Sequence, residues 1–215
     1  MDGPTSSTIA TLSEPSDKPT ILLLSLAAED LFNSRYAHLI NSLNERAQLK
    51  KAKTTAGAAR FLESNTPKAI IITDQGLTQP ANQGVIEKVI TYVRGGGLAI
   101  VGLHFPSHIT GPAFKAFFRR FGLPWEPAEL TRREVRFNVG CELPSGATPI
   151  AVKSYTTKVL HVKNALPREK IIVPVNTSTQ VAVAGAKVGD GFVVYAGDVE
   201  PGENSNMVLL SLCGL

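Results

Sequence analysis

Continuous apolar runs alternate with amphipathic segments through the first half of the chain. The runs at 21–26, 69–73 and 98–103 are typical of strands buried on both faces of a sheet. Apolar residues at helical spacing predict helices between these runs, one of them capped by Asp30. The alternation predicts a parallel sheet with right-handed crossovers and helices on both faces. The further segments are a more polar edge strand over 47–53 and helices over 55–64 and 82–93.

The pattern changes after a helix that begins at Gly111-Pro112 and ends at Gly122. This helix carries four phenylalanines on one stripe, which is typical of a helix packed on a core. Beyond Trp125, apolar and polar residues alternate, as in antiparallel or edge strands with one solvated face. The alternating segments lie at 132–139, 157–162, 171–175 and 181–186, and are followed by a buried strand over 192–196 and a helix over 205–213.

These elements predict an α/β, flavodoxin-like, three-layer domain with a mostly parallel sheet and an antiparallel segment at its edge. We place the domain at 19–215, with the antiparallel elaboration at 125–187, as extra edge strands or a small second sheet. Residues 1–18 are rich in Ser, Thr and Pro and are expected to form a disordered tail. The start resembles no secretory signal, and the longest apolar run is too short to cross a membrane.

Charge and cysteine content narrow the function classes. The 215 residues are 43% hydrophobic and 19% charged, with a net charge of +4, and the basic residues are scattered, so nucleic-acid binding is not expected. The basic segment 132–136 fits an edge strand protected by its charges, with binding of an acidic or phosphorylated partner as the alternative. Cys141 and Cys213 lack metal-ligand spacing. We therefore expect no metal or cofactor, although a histidine with two or three carboxylates could also bind a divalent cation. Two cysteines far apart in the sequence suggest a reducing compartment, so we expect a cytoplasmic protein, with the nucleus left open.

Titratable side chains follow three of the predicted parallel strands. Asp74 ends one strand, His104 begins the loop after the next, and Asp198 follows the last. Ligands bind at the carboxyl ends of such strands, and a histidine beside carboxylates can act as a general base, so these three are the candidate catalytic residues. Ser107, His108 and Glu200 are the candidate ligand-binding residues. The alternative is structural: Asp74 and Asp198 cap turns or helices, and His104 is a buried core residue.

Two glycine-rich strands carry a family resemblance. Residues 95–104, GGGLAIVGLH, and 191–198, GFVVYAGD, resemble the class I glutamine amidotransferase-like superfamily, most closely its ThuA-like (trehalose-utilisation) proteins. Segments 92–105, 117–125 and 188–215, with the motifs VGDG at 188–191 and GDVE at 197–200, also resemble a group of uncharacterised fungal proteins. The resemblance implies the α/β fold. It also implies a nucleophilic cysteine at the strand-to-helix turn, where this chain has Leu103-His104, and a second histidine where it has Asp198. We therefore expect no glutaminase activity.

Two functions remain open from the sequence. The first is a non-catalytic amidotransferase-like module, a pseudoenzyme that interacts with a protein partner or a second copy of itself, or senses a small polar ligand. The alternative is a ThuA-like enzyme or binder that acts on a carbohydrate-derived small molecule through His104 and the neighbouring carboxylates. An enzyme needs an open pocket that holds His104 and a carboxylate, whereas an interaction module needs an exposed apolar surface.

Overall fold

The computed structural model describes residues 18–27, 31–176 and 179–215. Strands and helices alternate in the first part, and strands dominate between the sixth and seventh helices. The strands are β1 (Thr20–Leu24), β2 (Gln48–Ala52), β3 (Ala69–Ile72), β4 (Leu98–Val101), β5 (Glu126–Phe137), β6 (Tyr155–Lys163), β7 (Lys170–Pro174), β8 (Val183–Val188) and β9 (Gly191–Ala196). The helices are α1 (Phe32–Arg35), α2 (Ala37–Arg46), α3 (Thr55–Ser64), α4 (Gln83–Arg94), α5 (Phe105–His108), α6 (Gly111–Arg120) and α7 (Glu203–Leu212).

All of these strands belong to one nine-stranded sheet in the order β2-β1-β3-β4-β9-β8-β7-β5-β6. From β2 to β9 in this order each strand is parallel to the next, whereas the pairs β9–β8, β8–β7, β7–β5 and β5–β6 are antiparallel. The predicted α/β class is therefore confirmed, but the sheet is parallel only in one part. The alternating segments extend the same sheet instead of forming a second one, because their buried faces continue its two cores.

The antiparallel part curls back over the parallel part. The backbone of β6 bonds β5 on one side, and on the other Leu160 N–H donates to Gly197 O at 2.9 Å. Val162 exchanges backbone hydrogen bonds with Val181 in the same way. This closure pairs backbone groups of β6 over residues 158–162, on the side away from β5. It also carries β6 to the carboxyl end of β9, where the candidate site lies.

The basic segment predicted as an edge strand is not at an edge. Its residues lie in β5, which pairs with β6 along most of its length and with β7 at its end. The charges of Arg132 and Arg133 are instead engaged by Glu200 and Glu129. Strand β2 lies at one end of the strand order and exposes Lys50 and Lys51, as the polar pattern of 47–53 predicted.

Helices cover both faces of the sheet. Alternate residues of β1 divide between the two cores: Leu22 and Leu24 face α3, α4 and α6, whereas Ile21 and Leu23 face α1, α2 and α7. A strand buried in this way must be apolar at every position, which explains the continuous runs in the sequence. The phenylalanines of α6 are buried in the first core, as predicted.

The first predicted helix differs from the structure at one point. The helix is broken at Tyr36, whose φ of −109° and ψ of 25° separate α1 from α2. The predicted cap Asp30 and nearly all of the predicted tail lie outside the described residues. Within the part of the chain that the structure describes, no helix is both long and apolar enough to cross a bilayer.

Candidate functional site at the carboxyl ends of β4 and β9

The β4 exit, residues 102–104, turns the chain sharply from β4 into α5. Leu103 has a φ of 62°, in the left-handed region that leucine rarely adopts. The backbone N–H groups of His104 and Phe105 both donate to Thr73 O, at 2.9 and 3.0 Å, which fixes the turn against the end of β3. The Leu103 side chain is only 5% exposed and lines a small internal cavity. An apolar side chain therefore occupies the strained position of this turn.

The His104 ring is buried among aromatic rings. It is 5% exposed, with ring centroids 5.6 Å from Phe32, 5.1 Å from Tyr36 and 5.7 Å from His108. The ring planes meet edge to face, an arrangement that stabilises packed aromatic groups. His104 thus contributes to the packing between α1, α5 and the sheet.

Ser107 and His108 lie on the exposed side of the short helix α5. The Ser107 N–H donates to His104 O at 3.0 Å, and the His108 ring nitrogen Nδ1 lies 3.2 Å from the same oxygen. Both residues therefore interact with the backbone of the β4 exit.

Asp74 is the cap of a tight turn. Its carboxylate Oδ1 accepts hydrogen bonds from Gly76 N–H at 2.9 Å and Leu26 N–H at 3.2 Å, and the residue is 2% exposed. It begins the 3₁₀ turn Gln75–Thr78 and ties it to the end of β1. These contacts are those that the structural alternative predicts for an aspartate after a strand.

The β9 exit, residues 197–200, holds a partly buried carboxylate. Asp198 Oδ1 accepts from Thr157 Oγ1 at 2.8 Å and from Glu200 N–H at 2.9 Å, and Oδ2 accepts from Ser205 Oγ. Burial raises the pKa of Asp198, and these three hydrogen bonds only partly oppose that effect. Asp198 connects β6, β9 and α7. Among the described residues, its hydrogen-bond partners do not include His104.

A cavity of about 30 Å³ lies between the two exits. Its wall includes Leu103, Asp198 and Ser205 together with the rings of Tyr36 and Tyr155. Burial raises the pKa of both tyrosines to about 12, so both hydroxyls stay protonated at neutral pH. A cavity of this size has room for one or two water molecules. Tyr36 also contacts the His104 ring, and so it links the two exits.

Glu200 faces outward and pairs with Arg132. Its two carboxylate oxygens lie 2.5 and 2.7 Å from Nη2 of that arginine. Both side chains are well exposed. The pair joins the β9 exit to β5, and the candidate ligand-binding carboxylate is engaged by this ion pair.

The sequence did not indicate the residues that surround Asp198. Thr157 and Tyr155 belong to an alternating strand whose place beside β9 depends on the closure of the sheet, and Ser205 begins the predicted last helix. Leu103 carried no signal at all, because nothing in a leucine predicts a positive φ. The site-residue assignments themselves remain predictions.

The cysteines lie toward the other end of the sheet. Buried Cys213 lines a second cavity, together with Gly97 and Leu98 at the amino-terminal end of β4, and Cys141 directly precedes Glu142 in that wall. Burial raises the pKa of the Cys213 thiol to about 12. Within the described ranges, no group of three or more His, Cys, Asp or Glu residues is arranged to hold a metal ion.

No protein-family model matches this chain, and no curated protein sequence matches it. Solved structures do match. A cytoplasmic protein from Salmonella typhimurium LT2 superposes with a TM-score of 0.62 at 11% identity, covering 90% of this chain and 98% of its own. A putative ThuA-like protein from Bacteroides uniformis gives 0.58 at 12% identity, covering 94% of both chains.

A segment of a larger enzyme matches as well. The β-galactosidase of Bacillus circulans sp. alkalophilus gives a TM-score of 0.58 at 13% identity, over 94% of this chain but 31% of that one. The chain thus spans about a third of the length of the β-galactosidases that it resembles. At these identities the likeness concerns the fold alone. The chain has the fold of the ThuA-like protein. This fold makes up nearly the whole of that protein and about a third of the β-galactosidase.

Proposed function

We propose that this protein is a non-catalytic, amidotransferase-like module that acts inside the cell through protein interaction or the sensing of a small ligand. The observation that carries the proposal is Leu103 at the strained turn between β4 and α5. A strand-to-helix turn of this kind is where related architectures present a nucleophile, because the sharp turn exposes the side chain. Leucine has no lone pair or proton to use there.

The surroundings of the turn also favour a non-catalytic role. His104 would be the general base, but its ring packs against Phe32 and Tyr36. The Asp74 carboxylate accepts backbone hydrogen bonds, and that of Asp198 holds Thr157 and Ser205. These hydrogen bonds occupy lone pairs of Asp74 Oδ1 and of both Asp198 oxygens that a base or a ligand site would need.

The size of the cavity weighs against the carbohydrate alternative. A volume of about 30 Å³ accommodates water, whereas small-molecule sites are roughly ten times larger. The match covers only 31% of the β-galactosidase. The activity of that whole enzyme therefore does not favour carbohydrate chemistry in this chain. We therefore place the carbohydrate-acting enzyme second.

Turnover assays test the proposal directly. The purified full chain is incubated with glutamine, with p-nitrophenyl esters and with p-nitrophenyl glycosides, and release of ammonia or nitrophenol is followed. We expect none above the rate of heat-denatured protein. Ammonia release from glutamine that Cys141→Ser or Cys213→Ser abolishes would contradict the proposal, and glycoside hydrolysis lost in His104→Ala would favour the carbohydrate alternative.

The same His104→Ala variant distinguishes a packing role from a binding role. We expect it to lower the free energy of unfolding by about 1–3 kcal/mol, because a buried ring is replaced by a cavity. Ser107→Ala, on the exposed face of the same short helix, is the matched control and should change little. Urea denaturation measures both variants. A thermal-shift screen with sugars, sugar acids and divalent metals runs alongside, and a ligand shift lost only in stable His104→Ala protein would make His104 a binding residue.

A further inference from the structure

A groove runs along the outside of the molecule between α2 and α7. Its volume is about 700 Å³, which is far larger than the cavity at the strand exits. We call it the α2–α7 groove. The residues that matter here are three basic side chains, Arg35, His38 and Arg46, and three apolar ones, Leu39, Met207 and Leu210.

The basic side chains form a stripe along one wall. His38 and Arg46 lie two turns apart on α2, a rise of roughly 12 Å, with Ser42 between them on the same face. The Arg35 guanidinium donates to Val199 O at 2.9 Å, and that of Arg46 donates to Ser42 O at 3.2 Å. In the part of the chain that the structure describes, neither guanidinium forms an ion pair with a carboxylate.

The groove exposes one of these three apolar residues. Leu39 and Leu210 are buried beneath it, whereas Met207 is 38% exposed on the α7 wall. A methionine side chain is flexible and adapts to the shape of an incoming apolar group. The carboxylate of Glu203 also lines the groove, but it belongs to the first turn of α7, near the Arg35 end. The Arg46 end therefore offers positive charge beside apolar surface.

We propose that the α2–α7 groove docks an acidic amphipathic helix of a partner protein. Leucine-like side chains of that helix would pack on Met207, and its glutamates or aspartates would pair with Arg35 and Arg46. This is the helix-in-groove mode of recognition, with charge complementarity setting register and orientation. A nucleic-acid backbone would use the arginines but leave Met207 uncovered. The proposal rests on the proposed function, since it names the kind of partner for an interaction module.

The probe is a fluorescein-labelled, end-capped peptide of about four helical turns, with leucines at i, i+3, i+4 and i+7 and glutamates elsewhere. Fluorescence anisotropy with the full chain measures its affinity, and amide chemical shifts locate it. We expect saturable binding that weakens as salt rises. Arg46→Glu and Met207→Asp should each weaken it by about tenfold or more. Arg136→Glu, an exposed charge reversal on β5, is the matched control and should leave the affinity unchanged.

Several results would overturn this proposal. They are an absence of saturable binding, equal affinities in all variants, or tighter binding of a DNA duplex with the same dependence on Arg46. Self-association of the free chain, seen by sedimentation and abolished by Met207→Asp, would assign the groove to a second copy. Both groove side chains are exposed, so the variants should unfold at the wild-type temperature. None of these outcomes produces substrate turnover, so failure here is distinguishable from failure of the non-catalytic assignment.

Discussion

The exits of β4 and β9 are adjacent in the sheet, yet different kinds of chemical group surround their side chains. The β4 exit places Leu103 and the His104 ring among apolar and aromatic groups. The β9 exit places Asp198 among hydroxyl and backbone donors from β6, α7 and its own loop. A shared position at the carboxyl edge of a parallel sheet therefore does not make two residues parts of one chemical site. Whether two such residues form one site depends on whether their polar atoms already have hydrogen-bond partners within the fold.

Glycine substitutions give the largest expected contrast between the two exits. A Cβ added at Gly197 would lie 2.2 Å from Leu160 O, a backbone atom of the strand that closes the sheet. A Cβ at Gly102 would lie 3.0 Å from Ala196 O and 3.1 Å from Ala196 Cβ. We expect Gly197→Ala to lower the free energy of unfolding by about 3 kcal/mol or more, and Gly102→Ala by about 1 kcal/mol.

Urea denaturation of the two glycine variants measures this difference. Equal losses at the two positions would mean that β6 can move away from the β9 exit at little cost. The closure of the sheet over Asp198 would then be loose, and the contrast between the exits would be smaller than the structure indicates.

At the strained turn of the β4 exit, we expect a glycine variant to be more stable than an alanine variant, the reverse of the order in a helix. Leu103→Ala should cost about 3 kcal/mol, because it removes a buried side chain and keeps the positive φ. Leu103→Gly removes the same side chain but relieves a left-handed conformation, and it should be more stable than the alanine variant by about 0.5–1 kcal/mol. The matched control is Leu39, a buried leucine in α2, where glycine should be worse than alanine by about 1 kcal/mol. The same order at both positions would refute strain at Leu103.

Much of the parallel part could be predicted from the sequence, because burial on both faces imposes a continuous apolar run. The predicted helix over 55–64 coincides with α3, and the run at 69–73 contains β3. The antiparallel strands were also located by their alternation. Their order was not, because a two-residue period tells which face is buried but not which strand is the neighbour. The basic residues of β5 were assigned to an edge for this reason.

The candidate site was predictable only in part, for a related reason. That Asp74, His104 and Asp198 follow parallel strands could be inferred from the apolar runs that precede them. Which groups donate hydrogen bonds to Asp198 depends on the position of β6, and long-range strand pairing fixes that position. The break at Tyr36 and the positive φ of Leu103 arise from tertiary packing that overrides local preference.

The partly buried carboxylate of Asp198 at the β9 exit predicts a pH dependence of stability. Burial raises the pKa of Asp198 above the 3.8 of an exposed aspartate, so the folded chain keeps this proton to higher pH than the unfolded chain. The resulting stabilisation is full below pH 3.8 and is lost as the pH rises through the raised folded pKa. Wild type should therefore lose stability relative to Asp198→Asn over this window. Denaturation at pH values from about 4 to about 8 tests this, and a constant difference would contradict it.

The smallest expected effect concerns the outer side of the β9 exit. Arg132 and Glu200 are both exposed, so their ion pair is weakened by water and salt although its contacts are short. A double-mutant cycle with Arg132→Ala and Glu200→Gln should give a coupling energy of about 0.5 kcal/mol that vanishes at high salt. Denaturation at low and high ionic strength measures it. A coupling above about 2 kcal/mol would make the pair part of the closure of the sheet.

The same two variants also test the role of Glu200 in binding. If a sugar, sugar acid or divalent metal shifts the unfolding temperature of the wild type and of Arg132→Ala but not of Glu200→Gln, Glu200 has the binding role predicted from its position after β9.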